Sequence, residues 1–241
     1  VQSIGYQRYL PLGHPEVVVE NLDRWGVDEI LLQCIDRSRE ELGPDFDLLG
    51  RVGSLGFSTP LIYGGGIADA ADAVRAVSLG ADRVLVDSML RDNPDRLEHI
   101  SRELGTQAVI AQMPVRASDR ELLWLNYRDR REVVLDRDSI ERANLEWASE
   151  VMLTDWQHEG VPGGFDASIL SLFPADDKPL LAFGGLSDPE TIRDVLSLPN
   201  VVAVGIGNFL NYREHTVQKV RQDIRSASIR AAHYAEEEYS L

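Results

Sequence analysis

The chain has 241 residues, 44% of them apolar, which suffices for one large domain or two small ones with a real core. Its formal net charge of −16 argues against nucleic acid or an anionic membrane surface as partner. One cysteine, Cys34, excludes an internal disulfide framework and fits a reducing cytosol. No apolar run approaches the ~20 residues of a membrane span. Val1-Gln-Ser-Ile opens the chain without a basic and apolar leader, so a cytoplasmic location is expected. Five scattered histidines give no metal-ligand spacing, and neither a metal nor a cofactor is expected. The acidity does not exclude a phosphorylated small ligand, because helix N-termini and loop amides bind phosphate without lysines.

In chain order, residues 1–6 are apolar but short and read as loop. A helix follows over 15–25, with Pro15 at its start, then a strand over 29–34, a helix over 46–55 and a strand over 60–63. Residues 70–79 form a helix, 83–87 a strand, 95–104 a helix and 108–113 a strand. Residues 121–127 and 131–135 flank Arg128-Asp129-Arg130 as a β-hairpin, whose place after the fifth barrel strand suits a lid or binding loop. The rest alternates: helix 139–148, strand 150–154, helix 167–172, strand 179–183, helix 189–196 behind Asp188-Pro189, strand 201–205 and helix 214–233. Strands apolar on both faces and separated by helices imply a parallel sheet covered by helices.

The second half repeats the first. Pro60-Leu-Ile-Tyr-Gly-Gly-Gly-Ile-Ala-Asp69 returns as Pro179-Leu-Leu-Ala-Phe-Gly-Gly-Leu-Ser-Asp188, close to half a chain later. Asp28-Glu-Ile-Leu-Leu-Gln-Cys34 likewise matches Ser149-Glu-Val-Met-Leu-Thr-Asp155, and 83–88 corresponds to 202–207 at the same spacing as the glycine segments. Two similar (βα)4 halves close into a (βα)8 TIM barrel, a single α/β domain over 1–241, with its active site at the C-terminal strand ends. Seven core strands can be counted, so the first is expected upstream of Val1. A strand running into paired glycines and a helix brings backbone close to a phosphate, although the same glycines also serve tight turns.

These residues resemble the cyclase subunit of imidazole glycerol phosphate synthase over nearly the whole chain. The resemblance is carried by Val1-Gln-Ser-Ile-Gly-Tyr, Gly13-His-Pro15, Val27-Asp-Glu-Ile-Leu-Leu, Tyr63-Gly-Gly-Gly-Ile67, Phe183-Gly-Gly185, the hairpin, and Gly207-Asn-Phe-Leu-Asn-Tyr212. It implies a half-duplicated barrel that receives ammonia from a glutaminase subunit and adds it to a substrate held by two phosphate sites. By the same resemblance, Glu29, Arg83 and Glu150 ring an ammonia gate at the barrel bottom. Gly65, Gly66, Ser88, Gly160, Gly184, Gly185, Gly207 and Asn208 hold phosphate or substrate.

The catalytic positions depart from that pattern. The strand that carries the first aspartate is expected upstream of Val1, and the strand-five aspartate falls on Pro114, which cannot move a proton. Cys34 replaces the strand-two aspartate, Gln2 a loop base and Asp87 an asparagine, while Gln157 and Glu159 stand where aspartates are usual. The acids expected at the catalytic mouth are Asp155, Asp36 and Asp87, with Asp155 best placed. Cys34 reads as a buried inert thiol, and His158 either as an acid/base near the strand ends or as a solvated loop histidine. Trp124 and Tyr127 suit either stacking on a planar substrate group or packing the lid. The leading expectation is a synthase subunit of a glutamine amidotransferase, working on a phosphorylated or nucleotide-linked sugar-type substrate. The histidine-pathway cyclase itself and a non-catalytic barrel that binds and regulates a partner are the alternatives.

Overall fold

The computed structural model describes residues 2–10, 13–207, 209–210, 216–224 and 229–231. Seven parallel strands form its frame: β3 (Ile30–Gln33), β4 (Leu61–Gly64), β5 (Arg83–Val86), β6 (Val109–Ser118), β9 (Glu150–Asp155), β10 (Leu180–Phe183) and β11 (Val201–Gly205). They pair in chain order, with β3 and β11 at the ends of the sheet. Ahead of them, β1 (Gln2–Ile4) and β2 (Arg8–Leu10) form a separate antiparallel ribbon, so the segment read as loop is in part a hairpin and contributes no stave.

Alternation along each stave explains why the sheet curls. One parity, including Leu61, Tyr63, Val84, Val86, Val151 and Leu153, packs outward under the helices in the larger core. The other parity gives Ile62, Leu85, Ile110, Met152 and Leu181, joined by Leu31 and Ala203, a second cluster to which every stave contributes. A flat sheet cannot bring its first and last strands into one side-chain cluster; a barrel-type sheet does.

The covering helices start where the caps place them. Asp45, Asp69 and Asp188 accept from backbone N–H groups at the first turns of α2 (Phe46–Gly53), α3 (Ala70–Ser78) and α8 (Pro189–Leu196). Two spans are shorter than the apolar period suggests. The helix expected over 139–148 is α6 (Arg137–Arg142) followed by a 3₁₀ turn at Leu145–Trp147 behind the left-handed Asn144. The last, α9, covers Thr216–Ile224, and residues 229–230 beyond it are not helical. Strand β6 is longer than expected. It runs on past the barrel rim to pair with β7 (Glu121–Asn126), which pairs with β8 (Arg131–Val134), so the hairpin is an extension of a stave.

The twin glycine turns are sterically required. Gly65 and Gly184 adopt φ of 119° and 111°. A Cβ on Gly65 would overlap the Cys34 carbonyl, and one on Gly184 would lie 2.5 Å from the Asp155 carbonyl oxygen. In each half the glycines let the loop after the neighbouring stave press down on the turn.

Candidate active site

Counting by two along the inward parity resolves the barrel interior into three layers, about 7 Å apart. Glu29, Arg83 and Glu150 form the lowest. Arg83 reaches Glu29 at 3.4 Å and also pairs with Glu150, while Nη2 donates to Ser149 Oγ at 2.9 Å and Nε to the Gln107 carbonyl at 3.1 Å. The three expected gate residues are thus brought together around one guanidinium. Above them lies the apolar layer of Leu31, Leu85 and Met152 with their neighbours. Next come Gln33, Gln112 and Thr154. Gln33 Nε2 donates to Gln112 Oε1 at 2.6 Å, and Gln112 Nε2 to Thr154 Oγ1 at 3.1 Å. A cavity of about 1610 Å³ opens between the unpaired edges of β3 and β11, where Val18, Val204 and Val220 line it beside Glu29, Leu31 and Gln33, and it reaches Tyr6 and Glu159 at the top.

A second cavity, of about 530 Å³, lies over the first half of the barrel, between the Gly65–Gly66 turn, Asp87, Tyr127 and Gln112. Arg39, Arg128 and Arg130 line it too, giving positive charge that an anionic ligand would meet. Asp87 Oδ1 accepts from the Tyr127 hydroxyl at 3.0 Å and from the Ser88 amide. Burial pushes the Asp87 carboxyl above its usual range against the opposing pull of Tyr127 and Arg91. Arg91 is anchored to the Leu125 carbonyl at 2.8 Å and stacks over Trp124 at 5.0 Å. Trp124 is therefore buried packing beneath the lid, while Tyr127 faces the cavity.

Tyr6, from the turn of the N-terminal ribbon, was not anticipated as a site residue. Its ring meets that of Tyr127 edge-on, with centroids 6.4 Å apart, and its hydroxyl bonds to Thr154. Burial raises its pKa, as do the nearby carboxyls of Asp87 and Glu159. Glu159 is 6% exposed and faces Ser3 and the amides of Gly5 and Tyr6; burial drives its pKa up as well.

The geometry separates the three acids expected at the mouth. Asp87 is on the inward parity and lines the first cavity. Asp155 has the opposite parity and is 1% exposed, with Oδ2 taken by His158 Nδ1 at 2.7 Å and the Asp166 amide at 2.9 Å. It pins the loop after β9. Asp36 is exposed on the loop after β3 and lines the larger cavity. Burial raises the Cys34 thiol, as suits an inert group. Pro114 is buried on the inward parity, two residues above Gln112.

Among the glycines, Gly66 already donates its amide to Ser38 Oγ at 3.0 Å, and a Cβ on Gly160 would run into the Ser3 carbonyl. Gly185 lines the larger cavity, as do Gly160 and Gly207. Ser88 is buried beside Asp87. Asn208 lies outside the described residues. Among the described residues no cluster suits a metal ion, and no helix is long and apolar enough to cross a membrane.

The family model described as histidine biosynthesis protein matches residues 5–216. The chain belongs to this family. Similar proteins include one named putative imidazole glycerol phosphate synthase subunit hisF2 from Vibrio vulnificus (strain YJ016), 26% identical over 233 residues, covering 95% of this chain and 85% of that protein. Imidazole glycerol phosphate synthase subunit HisF from Bacillus cereus (strain G9842) is 26% identical over 235 residues, covering 95% and 92%. A putative subunit HisF from Leptospira interrogans is 24% identical over 217 residues, covering 88% and 85%. The histidine biosynthesis family is one of TIM barrels, and the seven curled parallel staves of this member conform to it.

Proposed function

We propose that this member of the histidine biosynthesis family is the synthase subunit of a glutamine amidotransferase. It takes ammonia from a HisH-like glutaminase chain and adds it to a phosphorylated or nucleotide-linked sugar-type acceptor. The observation that carries this reading is the layered interior. A charged ring, an apolar belt and a polar layer follow one another along the inward faces of the staves, in the order a small polar molecule would meet them on its way to a reaction site. The names of the relatives support the same class of subunit.

At the mouth, the amide and hydroxyl groups of Gln33, Gln112 and Thr154 replace the water lost on entry. Ammonia arrives neutral and competent to attack an electrophilic carbon, and positioning plus exclusion of water lower the barrier. The arginines over the first cavity hold the anionic part of the acceptor. The test supplies ammonium chloride and the full-length protein to the phosphoribosyl substrate of the parent cyclase and to a panel of nucleotide-linked sugars. Nitrogen incorporation is read by mass spectrometry. Glutamine with a HisH-like glutaminase should replace the ammonium salt. No incorporation on any acceptor, together with no glutaminase binding, overturns the reading.

The second reading, the histidine-pathway cyclase itself, is favoured by the printed names of the relatives. Pro114 speaks against it, because it puts a side chain without a proton where the resemblance expects an aspartate. Turnover confined to the parent substrate would select this second reading.

A further inference from the structure

The floor and the rim of the first cavity differ in chemistry. Gln112 is 1% exposed and hydrogen-bonded to Gln33, and both line the cavity together with Asp87. Tyr127 and the Ser88 amide donate to Oδ1 of Asp87. No described residue donates to its Oδ2, which is left as an acceptor for a ligand. Three exposed arginines stand at the rim. Arg128 is paired with Asp92 at 2.8 Å. Arg130 reaches the Tyr6 carbonyl and the Trp156 ring, and neither it nor Arg39 pairs with a described carboxylate. The glycine turn beside the floor is closed. The Gly66 amide is taken by Ser38 Oγ at 3.0 Å. A Cβ on Gly65 would run into the Cys34 carbonyl, and one on Gly66 into the Gly43 backbone. The loop after β3 thus accounts for both glycines, and a phosphate brought there would meet the Asp87 carboxyl across the same cavity.

We propose that the first cavity seats the acceptor with a hydroxylated sugar ring on the floor of Asp87, Gln33 and Gln112 and its anionic group at Arg39 and Arg130, clear of the glycine turn. The assignment rests on the acceptor reading above and deepens it: the acceptor enters sugar-first. A hydroxyl both donates and accepts, so neighbouring hydroxyls match a floor that offers a carboxylate oxygen beside two amides. Burial holds the Asp87 carboxyl above its usual range, and a ligand O–H replaces the water that burial removed. The walls decide against a planar base. The rings of Tyr6 and Tyr127 stand at 80° to each other with centroids 6.4 Å apart, so they cannot sandwich a flat ring. They do offer apolar surface to the C–H face of a puckered one. Arg39 and Arg130 present their forks of donors at exposed positions, where phosphate oxygens can be gripped without losing all their water.

Isothermal titration calorimetry on the full-length protein compares inorganic phosphate with hexose 1-phosphates, and uridine diphosphate with uridine-diphosphate hexoses. At least one sugar-bearing probe is expected to bind at least about tenfold tighter than its sugar-free counterpart. The arm in which it does so tells which kind of anion the rim takes. Asp87→Asn keeps an acceptor for Tyr127 but turns an NH2 toward the ligand. It is expected to weaken the sugar-bearing probe about fivefold or more and to leave its sugar-free counterpart within about twofold. Replacing the rim pair, Arg39→Gln with Arg130→Gln, is expected to weaken both members of the pair about tenfold. Circular dichroism first shows each variant to be folded. A phosphate on the glycine turn predicts the opposite sign, since Asp87→Asn then removes a like charge. Tighter or unchanged binding of the sugar-bearing probe to Asp87→Asn therefore overturns the proposal. So does a rim variant with parental affinities, the lack of any preference for the sugar in both arms, or the binding of no probe. The nitrogen-incorporation assay on the same preparations keeps the two readings apart. The expected binding pattern in a protein that incorporates no nitrogen upholds the seating and sinks the ammonia-addition reading alone. Incorporation by a protein whose Asp87→Asn variant binds more tightly sinks the seating alone.

Discussion

Asp87 has hydrogen-bond donors on one oxygen and a guanidinium nearby, yet burial outweighs them and raises its pKa above the ordinary 3.8. A carboxyl whose folded value is raised holds its proton in the native state after the unfolded chain has lost it. Stability attributable to the group is intact below about pH 3.8 and declines as pH climbs through the raised folded value. Asn at this position keeps an acceptor for Tyr127 and carries no charge. Asp87→Asn is therefore expected to raise the melting temperature at pH 7.5 and to leave it nearly unchanged at pH 3.5. The charged neighbours Arg91 and Arg128 and the phenol of Tyr127 face the same carboxyl, so the comparison needs constant salt. Equal gains at the two pH values would show that charge burial is not the cause.

The glycine turns are the element-scale counterpart. Gly184 has φ of 111° and its absent Cβ would sit 2.5 Å from the Asp155 carbonyl oxygen, whereas a Cβ on Gly207 would make ordinary contact with Phe183, at 3.6 Å. Gly184→Ala is expected to cost about 2–4 kcal/mol, combining a forced backbone with overlap. Gly207→Ala is expected to change stability by less than about 1 kcal/mol. Urea unfolding of the two variants checks the contrast, and a tolerant Gly184 would return that turn to a purely ligand-driven explanation. The repeat of strand, glycines and helix was legible because local geometry fixes it. So was the meeting of Arg83 with Glu29 and Glu150, since the two glutamates recur at matching places in the halves. The choice among Asp155, Asp36 and Asp87 turned on a cue that was present but unused: a count of two from Arg83 lands on Asp87, while a count from Glu150 lands on Thr154 and passes Asp155 by. Tyr6 and Glu159 left no such cue. They meet through a loop and a ribbon far apart in the chain, with no shared period to announce it.

At the scale of the whole barrel, the charged ring and the mouth lie at opposite ends of one interior, so a change at the ring should alter supply without altering chemistry. Arg83 holds Glu29 and Glu150 together, with its side chain 16% exposed and theirs 35% and 23%. Removing the guanidinium leaves two carboxylates facing each other at the barrel floor. Their partial exposure lets water and salt screen the repulsion, so the stability loss in Arg83→Ala should be about 1–2 kcal/mol, below the cost of orphaning a fully buried charge. The functional effect should be selective. On the proposed reading, free ammonium enters from solvent at the open mouth, whereas ammonia made by a docked glutaminase would have to pass the ring. Glutamine-driven turnover is expected to fall at least about tenfold while ammonium-driven turnover stays within about twofold. Parallel assays of the two nitrogen sources on one preparation decide it. If both rates fall together, Arg83 supports the fold of the mouth through the barrel wall; if neither falls, ammonia does not travel through the ring.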